Sequence, residues 1–289
     1  MSNNSQNNQK TQHGYRLIAS DLDGTLLGRD QKVSPENKAA IATLSEMGVH
    51  FVPSTGRCFS ELPEDVRNFE TVRYYSTSDG AAVYDKYSGK PIVTRYIPSE
   101  LVNYVMDVMA DYDVYHMVHS GGDSYYDLEK HNEDYIAHTR LNPYFRVLIE
   151  KENIPKASTR EYEQFVRASE EVELFCSFFA SDADMEECRK RLLATGKLAV
   201  AQSDKCNLEV YSVDAGKGNA LAALADALGV NIADTVAMGD STNDLSLLGS
   251  AGLALAMENA CDELKSAADA ILCHYSEHCA KVLLERYFK

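Results

Sequence analysis

Arg16-Leu17-Ile18-Ala19-Ser20-Asp21-Leu22-Asp23-Gly24-Thr25-Leu26-Leu27 decides the fold, because an apolar run at 16–20 stops abruptly in two carboxylates and turn-forming residues. Short apolar runs bounded by such residues read as buried strands. Next comes a helical stretch over 34–47, where Ser34-Pro35-Glu36 supplies an N-cap with proline in the first turn and Gly48 supplies the stop. A second apolar run covers 49–54, so the chain opens as strand, helix, strand. A third run at 72–78 ends in Asp79-Gly80, and the runs 81–84 and 91–97 flank Ser88-Gly89 as a hairpin.

Between about Tyr87 and Ser203 this order breaks into helices (99–112, 185–195) mixed with aromatic-rich strands (114–118, 124–128, 173–179). The first pattern returns after Asn207, with strands at 208–212, 235–238 and 253–257 and helices at 217–228 and from Asn243. The expected fold class is therefore α/β: a three-layer, Rossmann-like parallel sheet core with an inserted α+β cap domain. Its expected segments are 1–87 and 204–289 for the core and 88–203 for the cap, with 1–14 a disordered lead-in.

Composition narrows the partners. The 289 residues are 45% hydrophobic and 25% charged, as in folded globular proteins, and the formal net charge is −16. Such a field repels nucleic acid and anionic membrane surfaces, so neither is an expected partner. It repels phosphate esters as well, and a phosphate-handling site here must carry its own local positive charge. Seven scattered cysteines, odd in number, argue for a reducing compartment, the cytoplasm. No run reaches the roughly 18–20 apolar residues of a membrane span.

Four polar clusters fall where predicted strands end: Asp21–Thr25, Ser54-Thr55-Gly56-Arg57, Ser76–Gly80 and Gly239-Asp240-Ser241-Thr242-Asn243-Asp244. Each alone is ordinary turn chemistry. In doubly wound sheets, however, ligands bind outside the carboxyl ends of the strands, where distant clusters converge. Asp21, Asp23, Asp240 and Asp244 in one crevice would repel unless a divalent cation sat among them, and hard oxygen donors suit Mg²⁺. Lys217, opening a predicted helix after Gly216, is a candidate for the local positive charge.

Together these motifs resemble the haloacid dehalogenase superfamily of phosphatases, in its Cof-type branch with a large cap after the third core strand. The first family motif stands as Asp21–Leu27, the second as Ser54–Arg57, the third as Lys217-Gly218 and the fourth as Gly239–Asp244. The resemblance implies a Mg²⁺-dependent phosphatase acting on a small phosphorylated metabolite, such as a sugar phosphate or phosphorylated cofactor. Asp21 would be the nucleophile and Asp23 the general acid and base. Thr55 and Lys217 would stabilise the transferring phosphoryl group. Asp21, Asp240 and the backbone carbonyl of Asp23 would hold the metal, with Asp244 in support. Thr55, Gly56, Arg57, Asp79, Gly80, Lys217 and Asn243 would contact substrate. A phosphomutase and a non-catalytic phosphate- or metal-binding protein are the alternatives.

Two departures from that branch stand out. Asp79 occupies a position where Asn is usual, adding a negative charge near the substrate phosphate. The usual Asn- and Asp-rich C-terminal segment is replaced by Cys273-His274-Tyr275-Ser276-Glu277-His278-Cys279, where a helix would put both histidines on one face beside the cysteines. The tyrosines of the cap, including Tyr104, Tyr112, Tyr115, Tyr125, Tyr126, Tyr135 and Tyr144, read mostly as core.

Overall fold

The computed structural model describes residues 14–141, 156–157, 159–203 and 205–289; positions 1–13 of the lead-in expected over 1–14, and Tyr144, lie outside the described residues. The chain forms two compact units. One comprises Met1–Pro53, Glu64–Tyr74 and Leu221–Lys289, the other Ser54–Pro63 and Tyr75–Ala220.

The first unit is built on a five-stranded parallel sheet. Its strands are β1 (Leu17–Ser20), β2 (His50–Pro53), β12 (Thr235–Gly239), β13 (Leu253–Ala256) and β14 (Ala270–Ile271), in the spatial order β14-β13-β12-β1-β2. Every residue of β1, β12 and β13 is buried. That is the mark of a parallel sheet covered on both faces, and it explains why these strands read as unbroken apolar runs. The helix Pro35–Glu46 forms as its sequence dictates: Ser34 accepts a hydrogen bond from the Asn37 N–H at 3.2 Å and Pro35 takes the first helical position. It packs against the last helix, Cys279–Tyr287. β14 is two residues long, too short for a periodic signal, and escaped the sequence reading.

The second unit holds two sheets. β3 (Tyr74–Thr77), β4 (Ala82–Asp85) and β5 (Lys90–Thr94) form a three-stranded one, with β4 and β5 the expected antiparallel hairpin. The larger sheet contains β6 (Val114–Ser120), β7 (Asp123–Asp127), β8 (Lys156–Ala157), β9 (Val172–Phe179), β10 (Leu198–Ala201) and β11 (Asn207–Ser212), in the order β10-β11-β9-β6-β7-β8. All its pairings are antiparallel except β7 with β8. Alternate residues of β9 enter two different cores. Phe175 and Phe179 join Val102, Val105 and Met109 of the helix Ser99–Met109, whereas Leu174, Cys176 and Phe178 join Tyr115, Met117 and Tyr126. Tyr115 and Tyr126 are thus core residues, as expected.

Boundaries moved where caps decide them. The helix expected over 185–195 spans Asp182–Leu193, because the Ser181 hydroxyl accepts from the Asp184 N–H at 3.3 Å and starts it a turn earlier. The helices Glu133–His138 and Thr159–Ala168 were not anticipated. The reading of 274–278 on one helix face is corrected. Tyr275–Glu277 is a single tight turn capped by His274, and His278 is left-handed (φ 63°) before the last helix begins. The backbone reversal separates the two imidazoles: His274 Nδ1 lies 2.7 Å from Ser276 Oγ and His278 Nδ1 lies 2.9 Å from Ser34 Oγ. Among the described residues, no metal-binding group forms from this segment. Among them, too, no helix is long and apolar enough to cross a membrane.

One partly buried imidazole makes stability depend on pH. His116 on β6 sits against Phe175 and Tyr162, with Nδ1 2.9 Å from the Tyr162 hydroxyl. Burial pushes its pKa from 6.5 down to about 3, and the Lys130 charge adds to that. The unfolded chain therefore binds more protons than the folded one between these values, so stability present above about pH 6.5 is lost as pH falls toward 3. The expected slope is about 1.4 kcal/mol per pH unit at most. Urea unfolding of His116→Gln at pH 7 and pH 5 should show a flatter pH dependence than wild type; parallel losses would place the acid sensitivity elsewhere.

Candidate active site

In the first unit the sheet brings three carboxylates together. Ser20 of β1 pairs with Met238 of β12, and the Asp21 N–H donates to the Met238 carbonyl at 2.9 Å, so Asp21 and the Gly239-Asp240 peptide leave neighbouring strands side by side. From β1 the chain proceeds to β2 on one side, while β12, β13 and β14 extend on the other. The point between β1 and β12 is thus the topological switch, where parallel sheets open a crevice. Carboxylate oxygens of Asp21, Asp240 and Asp244 all lie within 4.8 Å of one another there, and Asp21 is only 6% exposed.

Backbone shape makes the room. Residues 22–26 wind in one wide turn closed by the Leu27 N–H on the Leu22 carbonyl at 2.9 Å. Gly24 is left-handed within it (φ 80°), and a Cβ there would run into the Asp240 carboxylate. Asp23 projects from the same turn with its side chain exposed, accepting from the Gln31 amide at 3.3 Å. Asp244 is buried, and its Oδ2 accepts from the N–H groups of Asp240 (3.0 Å) and Ser241 (3.2 Å), fixing the loop that presents Asp240. Ser241 Oγ donates to Asn243 Oδ1 at 2.6 Å.

Asn259 belongs to this crevice and was missed. Its Nδ2 donates to the Gly24 carbonyl at 2.8 Å and to Asp240 Oδ2 at 3.3 Å, tying the first acidic turn to the second. It follows β13 in Glu258-Asn259-Ala260, so the same strand-end reasoning that selected the other clusters would have found it.

The second unit carries the remaining candidates on two loops zipped together. The Thr55 N–H donates to the Ser76 carbonyl (2.9 Å), the Ser78 N–H to the Arg57 carbonyl (2.8 Å) and the Asp79 N–H to the Thr55 carbonyl (3.0 Å). Thr55 Oγ1 accepts from the Arg57 N–H at 3.2 Å. A Cβ on Gly56 would lie 3.5 Å from the Asp79 carboxylate, so Asp79 turns inward against Gly56. Gly80 (φ 84°) has no space for a Cβ because the Gly216 carbonyl fills it, and this close approach sets where the helix beginning at Lys217 starts. Lys217 is 1% exposed. Nearby, burial pushes the Tyr211 phenol pKa up; Asp79 and Glu209 add to the rise and the Lys217 ammonium opposes it.

Asp21, Asp240 and Asp244 are thus brought together in the first unit, with Asp23 on the adjoining turn and Asn243 in the Asp240 loop. Thr55, Gly56, Arg57, Asp79 and Gly80 share the zipped loops of the second unit, where Lys217 follows the glycine packed on Gly80. The carboxylate cluster offers only hard oxygen donors, which fits a small divalent cation.

A parallel α/β sheet with an acidic crevice at its switch point, accompanied by a separate antiparallel cap sheet, defines a class of phosphate-handling hydrolases. Residues 18–280 match the haloacid dehalogenase-like hydrolases, and the chain belongs to that family. It is 29% identical to the 5-amino-6-(5-phospho-D-ribitylamino)uracil phosphatase YcsE of Bacillus subtilis over 264 residues, covering 91% of this chain and 92% of the relative. It is 30% identical to an HMP-PP phosphatase of Yersinia pseudotuberculosis over 254 residues, covering 87% and 86%. A solved haloacid dehalogenase-like hydrolase from B. subtilis superposes with a TM-score of 0.78 at 26% identity, covering 94% of this chain and 99% of that one.

Because Asn259 bridges Gly24 and Asp240 without being a carboxylate donor itself, Asn259→Ala should weaken divalent-cation affinity by about 10- to 100-fold, the usual cost of losing a ligand-orienting partner. Calorimetric titration with Mg²⁺ measures it. An unchanged affinity would show that Asp240 is held by its own loop alone.

Proposed function

We propose that this chain is a Mg²⁺-dependent phosphatase that hydrolyses small phosphate monoesters, such as a sugar phosphate or a phosphorylated cofactor, through a phospho-aspartate on Asp21. The convergence of Asp21, Asp240 and Asp244 at the switch point, in a chain whose relatives are phosphatases, carries this reading. The substrate would be a phosphorylated metabolite; with a net charge of −16, neither nucleic acid nor a membrane surface is a partner. All seven cysteines are thiols, in keeping with the cytoplasm as the compartment.

Asp21 attacks the phosphorus as the bond to the ester oxygen breaks, and Asp23 donates the proton that the departing oxygen needs. Its exposed position lets Asp23 exchange that proton with solvent. Asp23 then takes a proton from the water that attacks the phospho-aspartate, regenerating Asp21 and releasing inorganic phosphate. Thr55 donates a hydrogen bond to the phosphoryl oxygens, and Lys217 supplies their countercharge. Gly56, Arg57, Asp79, Gly80 and Asn243 complete the substrate contacts. Mg²⁺, when bound, neutralises the repulsion between a carboxylate nucleophile and a phosphate dianion. Asp21, Asp240 and the Asp23 carbonyl would hold it, and Asp244 orders the Asp240 loop through the two N–H groups it accepts.

Release of inorganic phosphate from an aryl phosphate should require Mg²⁺ and fall at least about 10³-fold in Asp21→Asn, a loss of roughly 4 kcal/mol of transition-state stabilisation. Phosphate moved between positions of one sugar, with little released to water, would favour a phosphomutase. No turnover across a panel of phosphorylated metabolites would favour a binding protein.

A further inference from the structure

Three consecutive residues of the turn that carries Asp79 are left-handed: Ser78 (φ 48°), Asp79 (φ 50°) and Gly80 (φ 84°). Only glycine adopts that region without cost, so two side-chain-bearing residues in a row must be held there by their surroundings. The restraint comes from far away in the chain. Ser78 Oγ donates to Glu173 Oε2 on β9 at 2.5 Å, a short, charge-assisted hydrogen bond. Glu173 is fully buried, and its other oxygen accepts from the Tyr84 hydroxyl and the Gly122 N–H, each at 2.9 Å. Since the single Ser78 hydroxyl hydrogen goes to Glu173, Ser78 Oγ accepts from His119 Nδ1 at 3.2 Å, which turns His119 Nε2 toward Glu61 Oε2 at 3.4 Å. Burying a carboxylate is costly unless each oxygen is satisfied, and here both are.

We propose that Glu173 is a positioning residue: acting through Ser78, it holds the left-handed Ser78–Asp79–Gly80 turn and so sets the affinity for the substrate phosphate. The proposal rests on the phosphatase reading in placing Asp79 beside bound substrate. Ser78 and Asp79 also hold the second loop, through N–H bonds to the carbonyls of Arg57 and Thr55. A loosened turn frees the Asp79 carboxylate from its inward place against Gly56 and unfastens Thr55 and Arg57. Both changes weaken binding of an anion.

Ser78→Gly isolates the effect, because glycine accepts φ 48° while the hydroxyl is lost. Glu173→Gln keeps the shape; its amide oxygen stays on Tyr84 and Gly122, and the uncharged amide nitrogen faces Ser78. With an aryl phosphate and saturating Mg²⁺, each single variant should raise KM about tenfold, with kcat within about threefold of wild type. The double variant should be no worse than Ser78→Gly alone, since Glu173 acts only through that hydroxyl. Additive losses, or a lowered melting temperature with KM unchanged, would overturn the proposal. Should the wild type turn over no substrate, the phosphatase reading fails by itself; the same cycle is then read on the calorimetric Kd for inorganic phosphate, where unchanged affinity in Ser78→Gly overturns the positioning role separately.

Discussion

The repulsion among Asp21, Asp240 and Asp244 is the constraint to which the first unit is fitted. Carboxylates within 4.8 Å of each other oppose one another by on the order of 3 kcal/mol per pair at an effective dielectric of ~20. A chain of net charge −16 supplies no general relief. Local features do. Asp244 is stabilised by two backbone N–H donors, Asp240 by the Asn259 amide, and Gly24 leaves space for the Asp240 carboxylate where any side chain would intrude. These arrangements hold the carboxylates in place, but they do not cancel the charge. The remaining imbalance suits the crevice to a small divalent cation.

The second unit solves an opposite problem. Its zipped loops are joined by backbone hydrogen bonds, but their geometry forces Ser78 and Asp79 into a conformation that costs of order 1–3 kcal/mol per residue. The restoring interaction is a buried, charge-assisted network reaching from the turn to β9, β6 and the loop after β2. Burial raises the Glu173 pKa, and the Ser78, His119, Tyr84 and Gly122 contacts oppose that rise. Strand β9 and the Asp79 turn therefore act as one element rather than as scaffold and attachment.

Much of this was legible in the sequence because burial and turn chemistry leave local signals. β1, β12 and β13 are buried on both faces, so each reads as an apolar run ending in polar residues, and the Ser34-Pro35 cap announces its helix. Elements without such signals were lost: β14 is too short for a period, and the helix Thr159–Ala168 lies between strands whose spacing gave no warning. The histidines at 274 and 278 show the reverse error, a helical period read into a segment whose backbone turns left-handed at His278. Asn259 was legible by the strand-end rule and was simply passed over. Glu173 was not legible at all, because its meaning lies in a hydrogen bond to a serine 95 positions away.

Lys217 lies in the second unit, and Asp21, Asp240 and Asp244 lie in the first. A lysine with 1% of its surface exposed is tolerated only where anionic groups or oriented dipoles compensate it, and Asp79 and Glu209 act on Tyr211 in the opposite sense to Lys217. In the proposed mechanism the ammonium comes from this unit, and Asp21 and the metal-holding carboxylates come from the other. An ammonium already desolvated interacts with a phosphate dianion more strongly than one in water. The sequence order reflects that division, since the segments that supply Asp21 and Asp240 lie on either side of the long stretch that supplies Lys217 and the restrained Asp79 turn.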